Sequence, residues 1–168
     1  MLRCYVPRHP VVSDVVVRID DGGTSEQLPD AIIEEFRANG GQIVTHPFRA
    51  AVEAGDLRSM SELLSPDVVF NSPVAFKAFH GRADVTEVLS HVLEVFEDFA
   101  YVDELAGSTS HALIFRASVG GREVGGLDHL RFDETGLIQE LTVMIRPLSG
   151  SIAVAEAMGP RVAHIIKD

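Results

Sequence analysis

One residue in this chain combines acid chemistry with an apolar setting: Asp128, in the run Gly125-Gly126-Leu127-Asp128-His129-Leu130-Arg131-Phe132-Asp133. The run reads as a β-strand, and side chains along a strand alternate between two faces, so Asp128 shares a face with Leu130 and Phe132. A carboxyl among large apolar side chains is expensive to ionise, and its pKa rises. Such an acid can act as a neutral hydrogen-bond donor or a proton donor, or it can be a buried structural Asp. His129 is adjacent in sequence but points to the other face, with Arg131, so the two form no acid–base dyad in regular β geometry. His46, His80, His91 and His111 fall at a helix start, in a loop, on a helix and in a turn. No His-x-His or His-Glu-x-x-His pattern occurs, and no acid pair at helical spacing joins a His, so neither a metal nor a cofactor is expected.

The elements that must position this acid follow from periodicity. Phe48, Ala51 and Val52 form a helical stripe that ends at Gly55. Asp56 then caps a second helix carrying Leu57, Met60, Leu63 and Leu64, which Pro66 stops. Val68-Val69-Phe70 is a strand followed by a loop. Val85, Val88, Leu89, Val92, Leu93 and Phe96 recur at helical spacing, which predicts a long amphipathic helix over about 82–97. Strands follow over Tyr101–Leu105, Ala112–Val119, Arg122–Phe132 and Leu137–Ile145, with turns at Gly120-Gly121 and Asp133-Glu134-Thr135-Gly136. Helices first and antiparallel strands later define an α+β layout, with helices against one face of a sheet. Upstream, residues 1–44 read as an extension with a strand over Val11–Ile19 and a short helix over Pro29–Asn39. The main domain spans 45–147. Residues 148–168 form a tail with a candidate helix over Ser151–His164, against which Gly159-Pro160 counts.

Composition narrows the classes of function. The chain has 168 residues, 46% of them hydrophobic, and a formal net charge of -11. That charge argues against nucleic acid and anionic membranes as partners. Cys4 is the single cysteine, so there is no disulfide framework, and no apolar run reaches membrane-spanning length. Pro7, His9 and Pro10 interrupt any signal core, and a soluble cytoplasmic protein is expected.

Four segments, in this order, resemble the nuclear transport factor 2-like superfamily and, within it, SnoaL-like and ketosteroid isomerase-like proteins. They are Ala54-Gly55-Asp56, Ser65-Pro66-Asp67-Val68-Val69-Phe70-Asn71-Ser72-Pro73, His80-Gly81-Arg82, and Leu127 to Gly136 around Asp128. The resemblance covers about residues 45–147. It implies a curved antiparallel sheet wrapped by helices into a cone, a cystatin-like α+β barrel whose mouth admits a small apolar molecule. It implies no single activity, because this superfamily includes isomerases, cyclases, hydrolases, dehydratases and proteins without chemistry.

By that resemblance Asp128 falls where ketosteroid isomerases carry the protonated acid of their oxyanion hole. Ser72, before Pro73, occupies the position of the family's general base. Phe48 occupies that of its oxyanion Tyr. Ser72 cannot accept a proton near neutral pH without a base of its own, and Phe48 has no donor. Asn71 points away by alternation, and an amide is a poor base. The Asp–Arg–Asp arrangement of limonene epoxide hydrolases also fails, since Ser118 and Val143 stand where acids would flank Arg116. The apolar lining is better supplied: Phe48, Phe70, Phe76, Phe79, Phe115 and Leu130, with Ser72, are the expected ligand contacts, and Phe96 and Phe132 extend the aromatic set. The sequence therefore points to a protein that binds a small hydrophobic, aromatic or polycyclic molecule, with Asp128 as its one catalytic candidate. The alternative is an isomerase, cyclase or dehydratase using Asp128 as a neutral acid. A homodimer through the outer sheet face is expected, because that face still carries Leu113 or Ile114 beside Thr142 and Met144; the alternative is that the strand over Val11–Ile19 covers the same surface and makes pairing unnecessary.

Overall fold

The computed structural model describes residues 46–165, together with the backbone of Leu2–Arg3 and Arg18–Ile19. The chain divides into two compact units, Met1–Val44 and Thr45–Asp168. In the first, β1 (Leu2–Arg3) pairs antiparallel with β2 (Arg18–Ile19). The strand expected over Val11–Ile19 reaches the described residues only at its last two positions. The helix expected over Pro29–Asn39 lies outside them.

The second unit opens with α1 (Pro47–Glu53) and α2 (Leu57–Glu62). His46 caps α1 and Asp56 caps α2, the latter through a carboxylate oxygen that accepts from the Ser59 N–H at 3.1 Å. Then come β3 (Leu64–Asn71), β4 (Phe79–His80), α3 (Arg82–Val95), β5 (Glu97–Ala106), β6 (Ser110–Val119), β7 (Arg122–Phe132), β8 (Ile138–Arg146) and α4 (Leu148–Val162). The six-stranded sheet has the order β4-β3-β8-β7-β6-β5 and stays open, with β4 and β5 at its edges. Four of its five junctions are antiparallel, and β3 runs parallel to β8. The fold is the expected α+β one, a curved sheet with helices on its concave face. Its parallel junction joins strands far apart in sequence, which no local pattern reveals. Leu63 and Leu64, read as the end of the second helix, instead cap α2 and begin β3.

Local chemistry explains the joints. Gly120 and Gly121 both take positive φ, 56° and 73°, as a tight two-residue hairpin requires. Gly126 is a different case, set by close approach. A Cβ there would lie 2.5 Å from Cζ of the Phe115 ring and 2.3 Å from the Met144 carbonyl oxygen. The sheet can thus bend at this point while a large ring lies across the neighbouring strand. The residues of 148–168 up to Val162 form α4 despite Pro160, which sits in the last turn where little helix remains to be interrupted. Val154, Met158 and Val162 form its buried stripe. No helix among the described residues is long and apolar enough to cross a membrane.

Candidate functional site

Alternation along β7 places Asp128 on the concave face, opposite Leu113 of β6 and Val143 of β8. Counted as a whole residue it is the sole buried polar or charged one among the described residues, 8% exposed. It faces a cavity of about 660 Å³ between sheet and helices, with walls that are largely apolar. Phe96 and Phe99, Phe115 of β6, Val92 of α3 and Met158 of α4 contribute to the lining. Phe99 stacks on Phe115 at 5.2 Å between centroids, and Tyr101 meets Phe99 edge-on at 4.9 Å. Packing of this kind fixes ring orientations.

A second polar group converges on Asp128. The Tyr101 hydroxyl, from β5, donates to Asp128 Oδ2 at 2.5 Å. Burial pushes the Asp128 carboxyl up to about 7, and the Tyr101 hydrogen bond, which favours the ionised form, opposes the rise only in part. Tyr101 in turn is held far above the ordinary phenol range, first by burial and then by the neighbouring Asp128. Near neutral pH a substantial fraction of Asp128 therefore carries its proton. With Oδ2 accepting from Tyr101, that proton is available on Oδ1 for a guest oxygen.

Of the expected ligand contacts, Phe48, Phe70, Ser72, Phe76, Phe79 and Phe115 all line the cavity. Phe48 is fully buried and Phe76 fully exposed, in the loop between β3 and β4. Ser72 Oγ accepts from the Val74 N–H at 3.3 Å within that loop. Leu130 does not line the cavity. Two residues along a strand is a displacement of about 6.6 Å, and there Leu130 is completely buried in the core. Phe132 is likewise outside the lining and stacks on the His46 ring at 4.8 Å. His129 and Asn71 lie on the convex face, where Asn71 donates to Glu140 and Thr142. His80 is exposed on β4 and does not contribute to the lining. Among the described residues no three His, Cys, Asp or Glu side chains are grouped as metal ligands.

Tyr101, the hydroxyl that meets Asp128 on the cavity wall, is absent from the candidates drawn from the sequence. Phe99 and Tyr101 stand two apart and both line the cavity, so alternation alone could have placed the hydroxyl on the concave face.

This architecture is that of the nuclear transport factor 2-like superfamily, and the SnoaL-like domain profile matches residues 47–141. The chain belongs to the SnoaL-like domain family. No curated protein matches it. Among solved structures it is similar to a steroid delta-isomerase from Pseudomonas aeruginosa, at 40% identity over 80% of this chain and 91% of that one, with a TM-score of 0.64. It is also similar to an uncharacterised protein with a cystatin-like fold from Silicibacter pomeroyi, at 35% identity over 70% and 83%, with a TM-score of 0.67. An NTF2-like protein of unknown function from Cytophaga hutchinsonii shares the fold at 16% identity over 60% and 85%, with a TM-score of 0.50.

Proposed function

We propose that the cone binds a small hydrophobic molecule, aromatic or polycyclic, and orients it by an oxygen acceptor such as a carbonyl on the neutral Asp128 carboxyl. The observation that carries this reading is the Tyr101–Asp128 pair, buried on the wall of a largely apolar cavity of about 660 Å³. A hydrogen bond lost from such a site costs about 1–3 kcal/mol, or roughly fivefold to more than a hundredfold in affinity. The test compares fluorenone with fluorene, which differ by one carbonyl on the same ring skeleton. The wild type should prefer fluorenone, Asp128→Asn should keep part of that preference, and Asp128→Leu should abolish it. Equal affinities in the wild type would remove the reading.

A second reading, an isomerase, cyclase or dehydratase that uses Asp128 as the acid, is favoured by the convergence of Tyr101 on the same carboxyl. The likeness to a steroid delta-isomerase supports it as well. Turnover of an unsaturated ketone that disappears in Asp128→Asn while binding persists would establish it.

The protein is further proposed to be a cytoplasmic homodimer. Its convex face carries the row Ile114, Leu127 and Met144, directly opposite one another on β6, β7 and β8, and Met144 is 57% exposed. Sedimentation should give a dimer that Met144→Glu dissociates; a monomeric wild type at micromolar concentration would rule it out.

A further inference from the structure

Strand β5 does not run regularly past Tyr101. The ladder pairs Tyr101 with Phe115 and then Asp103 with Ile114, so Val102 has no partner of its own. Such a bulge bends a strand and re-aims its side chains. The aim matters here, because the Tyr101 hydroxyl must cross β6 diagonally. Tyr101 stands opposite Phe115, whereas Asp128 on β7 stands opposite Leu113.

Arg49 of α1 holds this bulge. Its Nη2 donates to the Tyr101 carbonyl oxygen at 3.1 Å, and its guanidinium carbon lies 5.9 Å from the centroid of the Tyr101 ring. The same guanidinium is fixed from two further sides. Nε donates to Glu53 Oε1 at 3.1 Å, and Nη1 lies 3.7 Å from Glu104 Oε2. The Glu104 side chain is 5% exposed. Its Oε1 accepts from the His46 backbone N–H at 3.0 Å and lies 3.2 Å from His111 Nδ1, while Oε2 makes no hydrogen bond among the described residues. A buried carboxylate oxygen without a hydrogen bond depends on nearby positive charge, and the Arg49 guanidinium supplies it. A planar, forked cation held in this way is rigid, and its remaining arm ends on the Tyr101 carbonyl. Arg49 is not part of the cavity lining.

We propose that Arg49 is a positioning residue: it clamps the Tyr101–Val102 bulge so that the Tyr101 hydroxyl lands on Asp128. The inference rests on the reading of Tyr101 and Asp128 as the polar pair of the site. Its test is the titration of the Asp128 carboxyl carbon by NMR in the wild type, Tyr101→Phe, Arg49→Met, Arg49→Lys and the Arg49→Met/Tyr101→Phe double variant. Tyr101→Phe removes a hydrogen bond to the carboxylate and moves the midpoint upward. Arg49→Met should move it in the same direction and add nothing in the Tyr101→Phe background. Arg49→Lys keeps the charge without the fork, and should move the midpoint as well. A wild-type midpoint in Arg49→Met would make Arg49 merely structural. A full further shift in the double variant, or a wild-type midpoint in Arg49→Lys, would assign the effect to charge alone; each of these overturns the proposal. Should Arg49→Met not fold, Arg49→Lys alone and combined with Tyr101→Phe gives the same decision. An Asp128 that titrates near the model-peptide value in the wild type would instead sink the reading of the site itself.

Discussion

Replacing Asp128 by Asn tests the buried acid directly, because Asn has nearly the same shape and no charge at any pH. The folded carboxyl titrates at about 7, while in the unfolded chain it titrates at about 3.9. The folded state therefore binds the extra proton in this interval. The stabilising contribution of the group is fully present below the unfolded value and is lost as pH rises through the folded value. The gap of about three pH units, at about 1.4 kcal/mol each, amounts to about 4 kcal/mol. That is a large share of the roughly 5–15 kcal/mol by which a domain is usually stable. Between pH 5 and 8 the accessible part is about 3 kcal/mol, and Asp128→Asn is spared it. Urea unfolding at a series of pH values measures the difference between the two proteins, in which all other titrating groups cancel. The midpoint of Asp128→Asn should rise relative to wild type by on the order of 1–2 M urea from pH 5 to pH 8, with most of the change below pH 7. A difference that stays constant over that range would refute the argument that burial outweighs the Tyr101 hydrogen bond.

Two further outcomes follow from the packing. Gly126→Ala places a methyl group 2.3 Å from the Met144 carbonyl oxygen and 2.5 Å from the Phe115 ring; it should destabilise the domain by about 1–3 kcal/mol and weaken fluorenone binding as Phe115 shifts into the cavity. Unchanged urea midpoint and affinity would contradict that close approach. His46 Nδ1 accepts from the Phe48 N–H at 3.1 Å, and its pKa is lowered by burial first and by His111 second, with Glu104 opposing. A folded value below the unfolded one means that this contribution is intact above about pH 6.5 and is lost as pH falls below it. His46→Asn keeps a capping acceptor without titrating, so its Tm should gain on wild type from pH 7.5 to 5.5, and a constant gap between the two curves would count against the cap.

Much of the fold was legible because its signals are local. The apolar spacing from Val85 to Phe96 produced α3, ending at Val95, and the glycine turns produced the hairpins of β6 to β8. What stayed hidden depends on distant partners. β4 is two residues long and exists because Val69 and Phe70 present an edge to His80 and Phe79. The parallel pairing of β3 with β8 joins residues such as Phe70 and Leu141, far apart in the chain. Asp128 could be placed on the concave face from alternation within its own strand. Alternation could likewise give the face of Tyr101 but not its meeting with Asp128, because the hydroxyl reaches that carboxyl through the combined registers of β5, β6 and β7, one of them shifted by a bulge. Family resemblance drew attention instead to Phe48 in α1, which has no hydroxyl. Leu130 failed for a related reason: alternation assigns a face, but where along the strand the cavity ends is decided by packing from other elements.

The placement of Arg49 bears on what kind of site this is. A buried carboxylate is ordinarily stabilised by a cation or by several N–H donors, and either would hold it ionised. Asp128 has a single hydroxyl donor among the described residues, too little to offset its burial. The guanidinium that clamps the bulge donates to the carbonyl of Tyr101 rather than to the carboxyl of Asp128. Were that guanidinium paired with Asp128 itself, the acid would lose its proton well below neutral pH and could only accept hydrogen bonds. Bonded instead to the backbone behind Tyr101, it fixes the geometry of the pair and leaves the carboxyl pushed up to about 7, so that a substantial fraction keeps its proton near neutral pH. A buried acid whose role was to tie the sheet together would gain from the ion pair. One that donates to a guest oxygen, as proposed for Asp128, would be disabled by it, and the guanidinium stands on the Tyr101 carbonyl instead.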